Sequence, residues 1–291
     1  MALLTEAIIL GLLTGSVYAL MASGLTLIFG VMDIINVAQG IFVVLGAYLS
    51  YILEQHLHID LFLGLFITMP FMFFLGIGIE WAFIRRIRQN RVMLSLLVTY
   101  AISLVIEGLL NFFFTASTVR LNASYVDASF PVFGFYISYM YLFTAVMSIA
   151  LLAALYFVIY RTRFGYSMRA AMQNRTAAML IGINVERVSG ITFGLGVALT
   201  AAGGMAFGAT NAFNAASSYD LISRLLVIIV LGGMGSLRGS MVASLFMLVI
   251  GAVTDVLWSP VWSSTVFFVL LVILLIFRPQ GLFGKVEGRK Q

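Results

Sequence analysis

Cysteine is absent from the 291 residues, which excludes disulfides, thiolate zinc sites, iron–sulfur ligation and a cysteine nucleophile together. Histidine is nearly absent. His56 and His58 share one short polar stretch with Glu54 and Asp60, the composition of a solvated loop rather than the start of a multi-histidine metal site or a Ser-His-Asp triad. Lysine occurs only as Lys285 and Lys290, neither in a G-x-x-x-x-G-K-[ST] setting, so the chain has no P-loop to hold a nucleotide. Charge of either sign is scarce: 9% of residues are Asp, Glu, Lys or Arg, against about a quarter in an average soluble domain. What the chain has instead is apolar, 62% AVILMFWYC and 14% aromatic with 25 Phe, at a mean hydropathy of +1.10. Too little polar surface remains to clothe a water-facing exterior, so the chain reads as an all-α integral membrane protein.

The net charge of +5 is not a nucleic-acid signal, because the basic residues are not spread over one polar face. They fall in clumps between apolar runs: Arg85, Arg86, Arg88 and Arg91; then Arg161, Arg163, Arg169, Arg175 and Arg187; then Arg278, Lys285, Arg289 and Lys290. Such clumps mark cytoplasmic loops under the positive-inside rule. Uncharged runs at 7–32, 34–53 and 61–79 precede the first clump, each near the roughly 20 residues a spanning helix needs. Three crossings ending inside put the N-terminus outside, and no Lys or Arg occurs before Arg85, which also argues against a positive signal-peptide n-region. Two more crossings, at 92–114 and about 138–160, flank an outer polar segment Ser117–Asp127. After Arg187 the runs are 188–219, 225–237, 239–254 and 256–277. The second of these is short and runs into Gly232, Gly233, Gly235 and Gly239, so it is expected to be a short or broken helix. The expectation is one membrane-spanning domain over 1–291, a bundle of eight or nine helices with the C-terminus inside, and no soluble domain beyond stretches at about 115–137 and 161–188.

Two segments look alike. Ala19–Gly24 and Ala198–Gly203 share A-L-x-A-[SA]-G, each is followed by an Asp-hydrophobic-Ile start at Asp33 or Asp220, and each reaches Val-Leu-Gly at 44–46 or 230–232. With opposite directions through the bilayer this describes an inverted repeat with discontinuous helices, the arrangement that brackets a transporter's substrate path. The plainer reading is that small-residue strings recur wherever membrane helices approach closely. In Gly30–Gly40, Asp33, Asn36 and Gln39 stand three apart and share a helix face beside Gly40, and polar groups in an apolar run are expensive unless they face a pathway or partner. Asn36, Gln39 and Gly40 are therefore candidates for the pathway or its gate, and Asp33 for an N-cap at the inner surface. Glu107 interrupts an apolar run and must pair internally or line a polar path; with no basic or histidine partner nearby in sequence it makes a poor proton relay. Glu80 is one turn from Arg85 and Arg86, the spacing of an ion pair at the membrane edge.

Within 161–188, Ser167 and Gly182 are expected to cap one helix. On it Met168, Ala171, Met172, Ala178 and Met179 form a stripe around Arg175, while Arg169 and Gln173 lie on another face. A Met-and-Ala stripe around one Arg fits a protein-binding face better than a helix resting on headgroups, because it lacks bulky aromatics. Met168, Arg169, Met172, Arg175, Met179 and Gly182 are thus the candidate partner-coupling residues.

With these pieces in place the sequence resembles permeases of branched-chain amino acid ABC importers, of the LivH type. The likeness is a colinear series: Gly15-Ser16-Val17-Tyr18-Ala19-Leu20, Gly24–Gly30, Ile34–Gly40, Arg169-Ala170-Ala171, Ile181–Asn184, Leu231–Ser236 and Arg278–Gly284. It is weakest over 115–160. The family usually carries Asn-x-Ala-His-Gly where this chain has Gln39, which keeps a donor and an acceptor but cannot be charged. The resemblance implies an inner-membrane subunit that translocates branched-chain or related amino acids by alternating access, with no catalytic residue and no cofactor of its own. It also implies a LivM-like second permease, two cytoplasmic ATPases docking on 161–188, and an extracytoplasmic binding protein that selects the ligand. Urea and short-chain amide permeases, sugar permeases, and an ion-coupled carrier or channel are the rival readings.

Overall fold

The computed structural model describes residues 2–87, 89–122, 126, 128–132, 135–278 and 280–284. Arg88, Asp127, Pro279, Lys285, Arg289 and Lys290, which belong to the charge and motif patterns above, lie outside the described residues. The elements are α1 (Ala2–Met32), α2 (Gln39–Leu57), α3 (Leu61–Ala82), α4 (Arg91–Phe114), a hairpin of β1 (Ser129–Val132) and β2 (Phe135–Ser138), and α5 (Tyr139–Arg161). They continue with α6 (Arg163–Gln173), α7 (Arg175–Leu180), α8 (Val185–Thr210), α9 (Ser217–Gly232), α10 (Leu237–Leu257) and α11 (Pro260–Phe277). The chain is an all-α polytopic membrane bundle.

Short polar residues punctuate it. Asp60 Oδ1 accepts from the Phe62 amide at 2.9 Å to start α3, Ser138 Oγ accepts from Met140 at 3.2 Å to start α5, and Pro260 sits in the first turn of α11 after Ser259, where its missing N–H costs nothing. Among the described residues eight helices are long and apolar enough to cross a membrane. The ninth passage belongs to α9, whose 16 residues reach only about 24 Å at 1.5 Å per residue. It starts inside the bundle, where the Ser218 carbonyl abuts Gly40. It ends where the Leu282 amide donates to Leu231 at 2.8 Å, among residues of the last segment. The sequence reading ended the preceding span at 219 and opened this one at 225, treating Asp220 and Arg224 as borders. The structure closes α8 at Thr210 and carries both charges inside α9, because they form an i,i+4 ion pair with Nε 2.9 Å from Oδ2.

One end of the bundle gathers a cluster of arginines: Arg85, Arg86, Arg91 and Arg175 meet there beside Glu186, and Gly30, Met172 and Gly235 close around the end of α1. The opposite end holds the hairpin and the bridge between Val119 and Phe213. Nine passages put Ala2 at that opposite end and Phe277 at the basic one. α1 and α8 form the buried centre, whereas α4 and α11 expose residues such as Phe112 (79%) and Phe277 (80%), a face suited only to lipid or a partner.

Two pairs share one construction. α1 is followed by six non-helical residues, 33–38, and then α2; α8 is followed by six, 211–216, and then α9. Thr210 follows Met32, and Ser217 follows Gln39, by the same 178 positions. The A-L-x-A-[SA]-G strings, 179 apart, agree with that register to one residue, while Asp33 and Asp220, 187 apart, fall outside it. α1 runs toward the basic end and α8 away from it, so the pairs are inverted.

Candidate functional site

The two chain breaks meet inside the bundle. Asp33 adopts φ +52° and its amide closes on the Phe29 carbonyl at 2.8 Å, so it terminates α1 instead of capping α2 as expected. The chain then turns back into the bundle, steadied by the Val37 amide donating to Thr99 Oγ1 of α4 at 3.2 Å. α2 begins at Gln39, level with the crossing of α1 and α8. There a Cβ on Gly24 would lie 2.6 Å from the Gly196 carbonyl oxygen and 3.1 Å from Gln39 Nε2. Gln39 Nε2 donates to that same carbonyl at 3.3 Å, and its Oε1 accepts from Asn36 Nδ2 at 3.0 Å. Asn36 and Gln39 are fully buried, and Asn36 Oδ1 has no hydrogen-bond partner among the described residues. Next to them the Ser218 carbonyl takes the space a Cβ on Gly40 would need, with Ile222 behind it. The starts of α2 and α9 therefore abut at Gly40, while two neutral amides join the start of α2 to α8 at Gly196, and together they form one buried seam.

Beside the seam, toward the opposite end, lies a cavity of about 640 Å³, within the range of small-molecule sites. Its walls come from the first five turns of α1, the 211–217 break, α9, α10 and α11. Arg224 is its cation: it pairs with Asp220, its Nη2 donates to Ser264 Oγ at 3.4 Å, and its guanidinium stands 5.5 Å over the Phe267 ring centroid. Glu6 and Asp255 add carboxylates, and Tyr18, Leu10 and Leu248 add a hydroxyl and an apolar wall. The cavity thus offers both signs of charge beside apolar surface, chemistry that fits a small zwitterion. No group of three or more His, Asp or Glu among the described residues is placed to hold a metal ion.

Residues 7–275 match the family described as branched-chain amino acid transport system / permease component. The chain belongs to this family. It is similar to the permease protein LivH of a high-affinity branched-chain amino acid transport system in Salmonella typhimurium, at 27% identity over 96% of this chain and 95% of the relative. BraD of Pseudomonas aeruginosa, from a system of the same description, is 27% identical over 98% and 97%. A shorter likeness, 36% identity over 37% of this chain and 35% of the relative, links it to YphD of Escherichia coli, a probable ABC transporter permease protein. No solved structure matches.

In this permease the remaining candidates lie apart from the seam. Glu107 of α4 accepts from Tyr219 Oη at 2.6 Å, which ties the peripheral α4 to α9 and leaves the carboxylate outside both seam and cavity. Glu80, 2% exposed, pairs with Arg85 at 3.0 Å, the ion pair expected from the spacing. The expected single helix at 167–182 is two. Thr162 caps α6, its Oγ1 accepting from Gly165 at 3.1 Å, and Asn174 caps α7, its Oδ1 accepting from Ala177 at 3.0 Å. Ser167 lies within α6 and donates to the Arg163 carbonyl at 3.3 Å. Gly182 does end α7, at φ +87°.

The break at Asn174 divides the stripe. Met168 is fully buried and Ala171 and Ala178 nearly so, while Met172 Cε reaches within 2.5 Å of where a Cβ on Gly30 would stand, against the end of α1. Arg169 is held between the rings of Tyr160 and Tyr166 at 5.0 and 4.8 Å. Arg175 turns toward Arg85, Arg86 and Arg91. The stripe is therefore not one exposed face. Its outward part is Met179, 52% exposed, continued by Leu180 and Ile181 at 83% and 75%. Sequence reasoning named Met179 and Gly182 but missed Leu180 and Ile181 between them, missed the cavity's Glu6, Tyr18, Arg224 and Asp255, and used Asp220 only as a repeat marker and a span border. The available signal was the i,i+4 spacing of Asp220 and Arg224, which joins opposite charges on one helical face.

Proposed function

We propose that the whole chain, 1–291, acts as a permease domain that imports branched-chain amino acids across the cytoplasmic membrane by alternating access, driven by separate ATPases. The observation that carries the reading is the pairing of a charged cavity with a neutral, fully buried seam at the meeting of two inverted half-helices. A branched-chain amino acid is a zwitterion with an apolar side chain. In the cavity its carboxylate would replace Asp220 at Arg224, and its ammonium would face Glu6 or Asp255. Release then requires Asn36, Gln39 and Gly40 to part from Gly196 and Ser218. On the positive-inside rule the basic end and the C-terminus face the cytoplasm, and the cavity faces the side from which an extracytoplasmic binding protein delivers ligand.

A LivM-like second permease and two ATPases complete the assembly. The ATPase docks on the tip Met179–Gly182, whose exposed apolar side chains stand in water at that end. α6 carries the motion inward, because Met172 presses on Gly30 and the 33–38 segment leads from there to Gln39. Arg169, clamped by two tyrosines, keeps α6 rigid against α5.

The test is uptake of radiolabelled leucine by the assembled complex in proteoliposomes containing ATP. Uptake is expected to continue when ion gradients are collapsed and to stop in Leu180→Asp, with loss of ATPase co-purification. Gradient-dependent uptake by this chain alone would instead establish an ion-coupled carrier, and uptake competed by urea or acetamide would establish the amide specificity.

A further inference from the structure

At the basic end a second cleft, of about 530 Å³, is lined by Arg85, Arg86, Arg91 and Arg175 with only Glu186 as a carboxylate. Its charges are not balanced internally. Arg85 takes two of the nearby acids, lying 3.0 Å from Glu80 Oε2 and 3.8 Å from Glu186 Oε2; the third, Asp33, acts on Arg175 only through its field and makes no ion pair with it. Among the described residues Arg86, Arg91 and Arg175 have no ion pair. Arg175 Nη1 and Arg91 Nε are buried donors without a hydrogen-bond partner among those residues. Burial, and then the like charge of Arg91, push the Arg175 guanidinium below its ordinary value. Three separate elements, the turn after α3, the start of α4 and the start of α7, thus bring like charges together around an opening. Such an arrangement is costly unless an anion completes it.

The surroundings say what kind of anion. Trp81 (61% exposed) and Phe83 (52%) stand at the end of α3, and Val92, Met93 and Leu94 (47%, 67% and 40%) on the first turn of α4. Exposed apolar side chains on both flanks of an arginine cleft, at the edge of two spanning helices, mark the boundary between headgroups and acyl chains, where tryptophan concentrates. An occupant must be anionic at one end and apolar at the other. A protein carboxylate arriving from water meets the first requirement alone.

We infer that the cleft formed by Arg85, Arg86, Arg91 and Arg175 binds the phosphate of an anionic phospholipid, whose acyl chains lie against Trp81 and the first turn of α4. Basic pockets between membrane helices at the cytoplasmic face are known to suit such headgroups. The bound phosphate would supply acceptors to the unpaired donors and hold α7 to the α3–α4 corner. The inference does not depend on what the permease carries.

The test uses the purified full-length chain with a short-chain phosphatidylglycerol below its micelle concentration, the matching phosphatidylcholine, and inorganic phosphate. Binding is followed by native mass spectrometry and by the unfolding midpoint. Phosphatidylglycerol is expected to bind saturably and raise the midpoint, phosphatidylcholine to do neither, and the double variant R86Q/R91Q to weaken binding by about tenfold. If that variant does not fold, the wild-type protein decides, because binding must fall sharply between 0.1 and 1 M salt as the charges are screened. Equal binding of the two lipids, unchanged affinity in R86Q/R91Q, or insensitivity to salt would overturn the inference. Displacement by equimolar inorganic phosphate would overturn the lipid assignment in favour of a free-anion site. Unchanged lipid affinity with loss of ATPase co-purification in R86Q/R91Q would overturn it in favour of a protein carboxylate.

Discussion

The break after α1 and the break after α8 have the same length and the same place in their repeats, yet they are furnished oppositely. Beyond the exposed Asp33 at its start, the first is neutral and dry: Asn36 donates to Gln39, Gln39 donates to the Gly196 carbonyl, and both amides are fully buried. The second opens on a cavity, and its helix carries Asp220 and Arg224 at the edge of solvent, with Asp220 55% exposed. An inverted repeat supplies two equivalent discontinuities, and in the proposed function one serves as a seal and the other as a binding wall. An ion pair in the seal would have to be desolvated at every closure, several kcal/mol per ion, whereas an amide pair exchanges hydrogen bonds worth about 1 kcal/mol each. The chemistry at each break suits what it must do repeatedly.

The comparison is easiest to break where the two halves touch. Gly40→Val sets a branched side chain against the Ser218 carbonyl and Ile222, so the bundle should lose about 3 kcal/mol, visible as a collapse of folded yield in fluorescence-detected gel filtration. A normal yield would mean that the half-helices do not abut. Arg224→Gln should fold, since the cavity admits water, but should lower leucine uptake at least about tenfold, the scale of one charge-assisted contact. The double variant R224Q/D220N restores neutrality; if it also restores uptake, Arg224 serves only to balance Asp220 and not to hold substrate.

Gln39→Ala leaves the buried Asn36 amide without its partner and strips the Gly196 carbonyl of its second donor, a cost of about 1–3 kcal/mol, and should raise passive leucine leak in vesicles lacking ATP. An unchanged leak would remove Gln39 from the seal. Gln39→His introduces a side chain that titrates near pH 6.5. Protonation removes its acceptor and buries a charge, so uptake by this variant should fall below about pH 6.5, while the wild-type protein shows no such step. The smallest effect belongs to Glu107→Gln, which keeps an acceptor for Tyr219 and should move the unfolding midpoint by no more than about 2 °C.

The helices and their directions were legible because the quantities that decide them, apolar run length and the placement of arginine, are local in sequence. The seam residues were legible for a related reason: amides in an apolar run stand out. The cavity was not. Glu6 looks like an N-terminal polar residue, Asp255 like a helix end and Arg224 like a border between spans, and only the folding of α1, α9 and α10 onto one another gives them a common space. Loop 161–188 misled in the reverse sense. Its wheel placed Met168 and Met179 in one stripe, but Asn174 is a better cap than a helix interior residue, and the kink it makes sends one methionine into the core and the other into water.

The crossing of α1 and α8 at Gly24 and Gly196 also sets a gear ratio. From Gly24 to Met32 is about 12 Å along the axis and from Gly24 back to Ala2 about 33 Å, at 1.5 Å per residue. A rigid rod pivoting there multiplies displacement between its ends by nearly three. The short arm is the one Met172 touches at Gly30, and the long arm holds Glu6 and Tyr18 in the cavity wall. In the proposed function, a shift of about 1 Å at the coupling helix would become about 3 Å at the far end of α1.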